Sequence, residues 1–353
     1  MKSIGIILFG FISAWAWNEI FLRFARRLGA LSQGISHQRR WDSRRKPIIG
    51  GIAFFIVLLG IAAWRPMGIE ISRAFIAGGA IAFLTGLADD AFVSLPYMKL
   101  LGQLTAAGAC ILLGGNLLSI PSMPLLSVFF TLFWYVAVMN ALNMMDNMDG
   151  IAGSLSLVLL LNSFWLLPQS AHFYLYCGLI GALGAFLLRN WHPSHLYMGD
   201  NGSQFLGFTL AYWGTEVWHS PTLFSLSAWE KVLFLVAIFA LLAGDTFWVI
   251  LVRLWEGRSP FHGGTDHLTH CLARLHLPAS AVAGIIAGSQ GIASLLAFLD
   301  VKYQLESLLL IAVIAFMGIS IGFIHFRPSL LALLEKKLYT FPHQIKELEE
   351  PMG

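Results

Sequence analysis

Leu125-Leu-Ser-Val-Phe-Phe-Thr-Leu-Phe-Trp-Tyr-Val-Ala-Val-Met-Asn-Ala-Leu142 runs through 18 positions without a charged side chain. A helix needs ~20 mostly apolar residues to cross the hydrocarbon layer of a bilayer, so this stretch reads as a transmembrane helix. It leads straight into Asn143-Met-Met-Asp146-Asn147-Met-Asp149-Gly150, where carboxyl and amide groups return. The same apolar signal recurs on either side, near 3–22, 48–64, 73–88, 100–113, 150–167, 173–188, 204–218, 231–252, 279–299 and 305–323. Of these, 100–113 and 204–218 are short and Gly-rich, so about 11 (10–11) spans are expected. Across all 353 residues, 57% are hydrophobic and only 12% charged. Globular domains carry about 25% charged residues, so a soluble enzyme, a disordered chain and a disulfide scaffold are excluded. The predicted fold is an all-α polytopic membrane protein. Residues 1–353 form a single integral membrane domain, with 326–353 as a short tail.

Lys and Arg give the orientation. The loop after the first apolar run holds Arg23, Arg26, Arg27, Arg39, Arg40, Arg44, Arg45 and Lys46. A cluster of that size resists translocation, which puts this loop in the cytoplasm and the N-terminus outside. With eleven spans the C-terminus is then cytoplasmic. Only Lys2, Arg65, Arg73, Lys231 and Lys302, out of 22 basic residues, fall on the other side. The basic cluster follows the first apolar run instead of preceding it, so a cleaved signal peptide is not expected. A net charge of +3 provides no field for nucleic acid. Cys110, Cys177 and Cys271 are far apart, with no CxxC pair.

The remaining polar residues gather in the loops assigned to the cytoplasm. Asp89-Asp90 ends an apolar run with no basic neighbour; it is either a solvated helix end or a pair whose repulsion a cation relieves. Asn140, Asn143, Asp146 and Asp149 recur every three positions, which places them on one helix stripe. A plain loop accounts for Asp149-Gly150 but not for the whole register. Met198-Gly-Asp200-Asn-Gly-Ser203 precedes an apolar run and reads either as an N-cap or as an anion cradle with Asp200 near a metal. His262, His267 and His270 follow Arg253 and Arg258. Zinc lacks an obvious third ligand there, and a His/Arg phosphate loop suits the acidic segments better. Hard oxygen donors favour Mg²⁺, with Mn²⁺ as the alternative. Together the clusters read as metal-assisted phosphoryl chemistry at a membrane face, where the protein mainly positions phosphates and neutralises charge.

The order of the motifs resembles the polyprenyl-phosphate N-acetylhexosamine-1-phosphate transferases. The stretches that carry the likeness are Pro47-Ile-Ile-Gly-Gly51, Gly86-Leu-Ala-Asp-Asp90 with Lys99-Leu-Leu-Gly-Gln103, 140–153, 198–207 and 259–272. The resemblance implies that undecaprenyl phosphate attacks the β-phosphate of a UDP-N-acetylamino sugar, releasing UMP, in a bacterial cytoplasmic (inner) membrane. By position in those motifs, Asn143 and Asp200 match the Mg²⁺ site. Asp89 and Asp90 match the essential acidic pair, argued between deprotonation and positioning. His267 and His270 match the phosphate-contacting loop, and Lys99 matches a diphosphate-contacting lysine. Asp149 matches the residue near the uracil. Asn140, Asp146, Arg258 and Lys46 are carried as substrate-binding candidates. Asp245, inside an apolar run, matches a recurring acidic position of unassigned role. Two departures stand out. The usual Asp-Gly-x-Asp-Gly here has Asn147, and the usual His-x-His-His here has Thr269. Both favour the polysaccharide-initiating branch over the peptidoglycan translocase. The expected donor is UDP-N-acetylglucosamine, with the N-acetylfucosamine, N-acetylquinovosamine or translocase-type donors as alternatives. The resemblance also implies a homodimer.

Two other classes compete. A secondary transporter for a phosphorylated solute predicts inverted repeats with broken helices, and no internal repeat is found. A scaffold that kept the fold without activity predicts missing acidic and amide residues, and Asp89, Asp90, Asn143 and Asp200 are all present.

Overall fold

The computed structural model describes residues 2–28, 46–64, 71–92, 94–259 and 264–305, with parts of 307–322. The expected tail at 326–353, the arginines of 29–45 and His262 lie outside the described residues. The helices are α1 (Lys2–Leu28), α2 (Gly50–Trp64), α3 (Arg73–Phe92), α4 (Pro96–Leu112), α5 (Pro124–Met145), α6 (Ile151–Leu161) and α7 (Ser163–Leu166). They continue as α8 (Phe173–Asn190), α9 (Gly199–Trp218), α10 (Ala228–Ile238), α11 (Ala240–Trp255), α12 (Leu268–Ala273) and α13 (Ala279–Tyr303). Among the described residues β-pairing is confined to an isolated parallel bridge, Ile48 with Tyr197. The starts follow local chemistry. Pro96 and Pro124 open α4 and α5, where a missing N–H costs nothing. Ser227 and Glu230 form a reciprocal capping box on α10.

The all-helical expectation holds. Among the described residues, five helices are long and apolar enough to cross a membrane: Lys2–Phe24 of α1, α3, α5, α8 and α13; the pair α10–α11 adds a sixth if counted as one span. The count of about 11 is not reached among the described residues, which include only part of the 305–323 run. The α2 and α4 helices are 15 and 17 residues long. The 150–167 run breaks at Asn162, whose amide donates to Ser294 on α13. The 231–252 run breaks at Phe239 with an 83° bend. That break strips Ile238 O of its helical partner, and buried Gln290 of α13 donates to it instead.

The α9 helix is long enough to span but not apolar enough, because it is the central helix. All of its twenty residues except Asp200 and Glu216 are buried, against α3, α5, α2 and α6. A helix shielded from lipid by protein has no need of an apolar surface, so Ser203, Gln204, Thr209 and Thr215 are fully buried there. The outer faces are the reverse: Leu101, Leu112, Leu125, Phe129 and Phe133 on α4 and α5 stand exposed, as a lipid-facing surface requires.

Antiparallel packing brings polar groups together at two ends of the bundle. At one end His172 Nδ1 donates to Glu216 Oε1 (2.8 Å) and Tyr176 Oη to Glu216 Oε2 (2.5 Å). There His172 Nε2 accepts from Ser72 N (3.1 Å), which sets the roles of the two ring nitrogens. This knot ties the start of α3 to the start of α8 and the end of α9. The opposite ends of α3 and α9 meet the start of α4 and the end of α5, and there the motif residues converge.

Candidate active site

The start of α9 docks directly on the last turns of α3. The contact needs Gly86: a Cβ there would lie 2.2 Å from Asp200 O and 2.6 Å from Asn201 Cα. Just beyond, Asp90 caps α9 from the neighbouring helix. Its Oδ1 accepts from Asp200 N (2.9 Å), and its Oδ2 accepts from Asn201 N (2.9 Å) and Asn201 Nδ2 (2.6 Å). A carboxylate satisfies the first free N–H groups of a helix and complements its dipole at once. Asp89, the adjacent residue, points elsewhere. Its Oδ1 accepts from Ser94 N (2.9 Å) and Ser94 Oγ, and its Oδ2 accepts from Lys99 Nζ (2.9 Å).

Lys99 sits at the centre of the site. Its ammonium also donates to Asn143 Oδ1 (3.0 Å) and Asp200 Oδ2 (3.0 Å). Asn143 Nδ2 completes the ring, donating to Asp200 Oδ1 (2.8 Å) and Ser203 Oγ (2.8 Å). Four helices thus supply one constellation. Asp89 and Asp200 against Lys99 leave one negative charge in excess, and Asp90 adds another. The helix N-terminus offsets only about half a charge, so the site favours further positive charge. The oxygens around Lys99 are two carboxylates and one carboxamide, the hard set that Mg²⁺ takes. Among the described residues no three His, Cys, Asp or Glu are placed to hold a metal, so a divalent ion fits only by drawing on the Asn143 amide and substrate oxygens. The donor set does not suit zinc.

The helix stripe read from the sequence divides among several jobs. Asn140 lies one turn deeper than Asn143. It exchanges hydrogen bonds with Gln103 (2.9 and 3.1 Å), which also donates to Gln204 (3.0 Å), a buried amide layer beneath the site. Asp146 is buried in the turn after α5. Gly150 closes that turn at φ +80, a left-handed conformation that an L side chain rarely adopts, and its N–H donates to Asn190 Oδ1 (2.9 Å). Asp149 belongs to a separate cluster. It accepts from Ser194 Oγ (2.7 Å), Ser194 N (3.2 Å) and His192 Nδ1 (3.1 Å). Lys46 stands 3.6 Å from Asp149, donates to Ser194 Oγ (2.8 Å) and lies over the Tyr197 ring.

The histidines come in on α12. Asp245, fully buried in α11, accepts from His267 Nδ1 (2.8 Å) and from Leu268 N (2.6 Å). One carboxylate therefore caps α12 and orients the ring of His267, the residue just before its first turn. Burial and the charges of His267 and Arg274 push the His270 imidazole down to about 4. Asp266 accepts from Arg253 (3.1 Å) and Arg258 (3.2 Å); burial pushes its carboxyl up, but the two guanidiniums outweigh it and hold it below the usual range. Arg258 is exposed and also pairs with Glu256.

Residues 72–217 match glycosyl transferase family 4. That stretch contains Asp89, Asp90, Lys99, Asn143, Asp149 and Asp200. A "probable undecaprenyl-phosphate N-acetylglucosaminyl 1-phosphate transferase" of Bacillus subtilis (strain 168) is 29% identical over 270 residues, 72% of this chain and 73% of the relative. A decaprenyl-phosphate N-acetylglucosaminephosphotransferase of Mycobacterium tuberculosis (strain ATCC 25618 / H37Rv) is 28% identical over 289 residues, 71% and 70% of the two chains. A phospho-N-acetylmuramoyl-pentapeptide-transferase of Lactobacillus delbrueckii subsp. bulgaricus is 29% identical over 161 residues, 45% and 43%. Over 72–217 the chain is similar to glycosyl transferase family 4.

The apolar helices and the membrane-enzyme relatives together make this a multi-pass membrane protein. Sequence reading anticipated Asp89, Lys99, Asn143 and Asp200 as candidates, and the fold joins them. It grouped Asp90 with Asp89, whereas the two carboxylates face different partners. It missed Ser94, Ser194 and His192. Short hydroxyl and imidazole groups in loops carry no periodic signal, so only the fold reveals them. Gln103 and Gln204 were visible as lone amides at the edges of motifs, yet nothing in the spacing pairs residues a hundred positions apart.

Proposed function

We propose that this protein transfers an N-acetylamino-sugar 1-phosphate from a UDP-sugar to undecaprenyl phosphate. The observation that carries the reading is the Lys99 ammonium ringed by Asp89, Asn143 and Asp200 at 2.9–3.0 Å. A cation held by carboxylates at the ends of apolar helices is placed to meet a lipid phosphate and a soluble diphosphate together. The names of the relatives, each describing an N-acetylglucosamine-phosphate transferase acting with a polyprenyl phosphate, support the same reaction. An oxygen of the lipid phosphate forms a bond to the β-phosphorus of the donor, and the bond from that phosphorus to the bridging oxygen breaks. UMP leaves with that oxygen and its electron pair. Lys99 neutralises charge on the diphosphate. Asp89, held by Ser94, keeps Lys99 in place and is the member of the acidic pair facing the chemistry. His267 and His270 face the phosphates, and Asp149 with Lys46 serves the nucleotide. When bound, Mg²⁺ would be held by Asp200 and Asn143 and would supply charge for the departing UMP.

The donor is taken to be UDP-N-acetylglucosamine and the product the first lipid-linked sugar of a cell-envelope polysaccharide. The site faces the cytoplasm of a bacterial inner membrane in this reading, because the basic residues cluster on the site's side. A cysteine at Ser36 should be labelled by a membrane-impermeant thiol reagent only from the cytoplasmic side, and labelling from outside inverts the assignment. For the reaction, purified protein with Mg²⁺, undecaprenyl phosphate and a panel of UDP-sugars should release UMP with at least one UDP-amino sugar. Asp200→Asn should lose that release at every Mg²⁺ concentration while remaining folded. Silence across the whole panel removes the transferase reading.

A further inference from the structure

The six residues of α12 are too few to hold a helix by themselves. Its position must come from contacts outside it. Asp245 supplies one, at the first turn. A single anchor at one end still leaves a short helix free to turn about its axis. The second anchor is Thr269, whose Oγ1 donates to Asn147 Oδ1 at 2.8 Å across 122 residues of sequence. Thr269 is fully buried and Asn147 nearly so. The Asn147 amide is fixed at its other end, since Nδ2 donates to Met144 O in the last turn of α5 (2.9 Å), a carbonyl that the helix end leaves without an internal partner. Asn147 therefore bridges the end of α5 to α12. It lies inside the 146–150 turn, next to Asp146 and two residues before Asp149, and Thr269 lies between His267 and His270. A hydrogen bond between these two segments is thus made by the two residues that depart from the family pattern, Asn for Gly and Thr for His.

We propose that Asn147 and Thr269 are positioning residues that lock the rotation of α12 and so set the histidine pair against the 146–150 turn for gripping the donor diphosphate. Neither residue touches the reacting atoms in this scheme. Each acts through its neighbours. The proposal rests on the transferase reading for its kinetic readout and on the fold alone for its structural one.

The test uses the full-length protein in detergent with undecaprenyl phosphate, comparing Thr269→Val, Thr269→Ser, Asn147→Ala and the double variant Asn147→Ala/Thr269→Val. Valine keeps the shape and loses the hydroxyl; serine keeps the hydroxyl. Thr269→Val should raise KM for the UDP-sugar about tenfold, the worth of one buried hydrogen bond, and leave KM for undecaprenyl phosphate unchanged. A merely structural role would not separate the two substrates. Thr269→Ser should recover most of the loss. The double variant should be no worse than the worse single one, because both remove the same bond. Unchanged donor KM in Thr269→Val, or single effects that multiply in the double variant, overturns the proposal. Hydrogen exchange over 264–275 needs no turnover and should quicken in Thr269→Val but not in Thr269→Ser. If the wild type releases no UMP, the transferase reading fails, and equal exchange in both variants would separately sink the lock.

Discussion

Asp90→Asn is the substitution that separates the two adjacent carboxylates. Asp90 accepts three hydrogen bonds from the first turn of α9. An asparagine keeps one acceptor oxygen and turns an NH₂ toward a backbone N–H, donor against donor. A hydrogen bond to a charged group is worth about 1.5–3 kcal/mol, and an orphaned buried donor costs about 1–3. Loss of the carboxylate charge at a helix start adds ~0.3–1. The expected loss is about 3–5 kcal/mol, a fall in melting midpoint on the order of 5–10 °C. Asp89→Asn disturbs one partly exposed ion pair and can keep its Ser94 contact, so it should cost less than about a third of that. Both variants should lose UMP release, since Asp200 sits on the turn that Asp90 caps. Stability is what tells them apart. A thiol-reactive fluorogenic dye suits the measurement, because Cys110, Cys177 and Cys271 are all free and buried and react only as the fold opens. If Asp90→Asn melts within about a degree of the wild type, or if Asp89→Asn falls as far, the capping assignment is wrong.

Gly86→Ala tests the docking of α3 on α9. In an open helix position the change stabilises by about 1 kcal/mol, but here the new Cβ meets Asp200 O at 2.2 Å. Turnover should fall more than tenfold and the melting midpoint should drop; a midpoint at or above the wild type refutes the close approach. His270 gives a pH signature. Its imidazole is held down to about 4 in the fold, against about 6.5 in an unfolded chain. Between those values the unfolded chain binds a proton that the folded one does not, so stability declines as pH falls from about 6.5 to about 4. Tryptophan-fluorescence melts should show this decline, and His270→Gln should flatten part of it. Equal slopes in both proteins would count against the buried neutral ring.

The fold class was legible because a scarcity of charge is a property of the whole chain. The polar register of 140–149 was legible because three-residue spacing survives in one dimension. What it could not reveal was the division of labour. Asn140 pairs with Gln103, Asn143 with Lys99 and Asp200, and Asp149 with Lys46 and Ser194, since partners come from segments far away in sequence. The breaks at Asn162 and Phe239 were hidden too. No proline or glycine marks the second, where Val236-Ala-Ile-Phe-Ala240 reads as unbroken apolar helix, and the donor that permits it, Gln290, lies fifty residues on. The central position of α9 explains why its apolar signal was weak: hydropathy reports contact with lipid, and α9 is packed in protein.

Asp245 carries a consequence for anyone exchanging segments between branches of this family. One carboxylate in α11 fixes the backbone of α12 and the ring of His267 together. The loop is thus not a portable cassette. A chimera that transplants 259–272 alone inherits a cap cut for another sequence, whereas one whose junctions fall before Ala240 and after Tyr303 moves the cap, the ring and the supporting α13 as a single part.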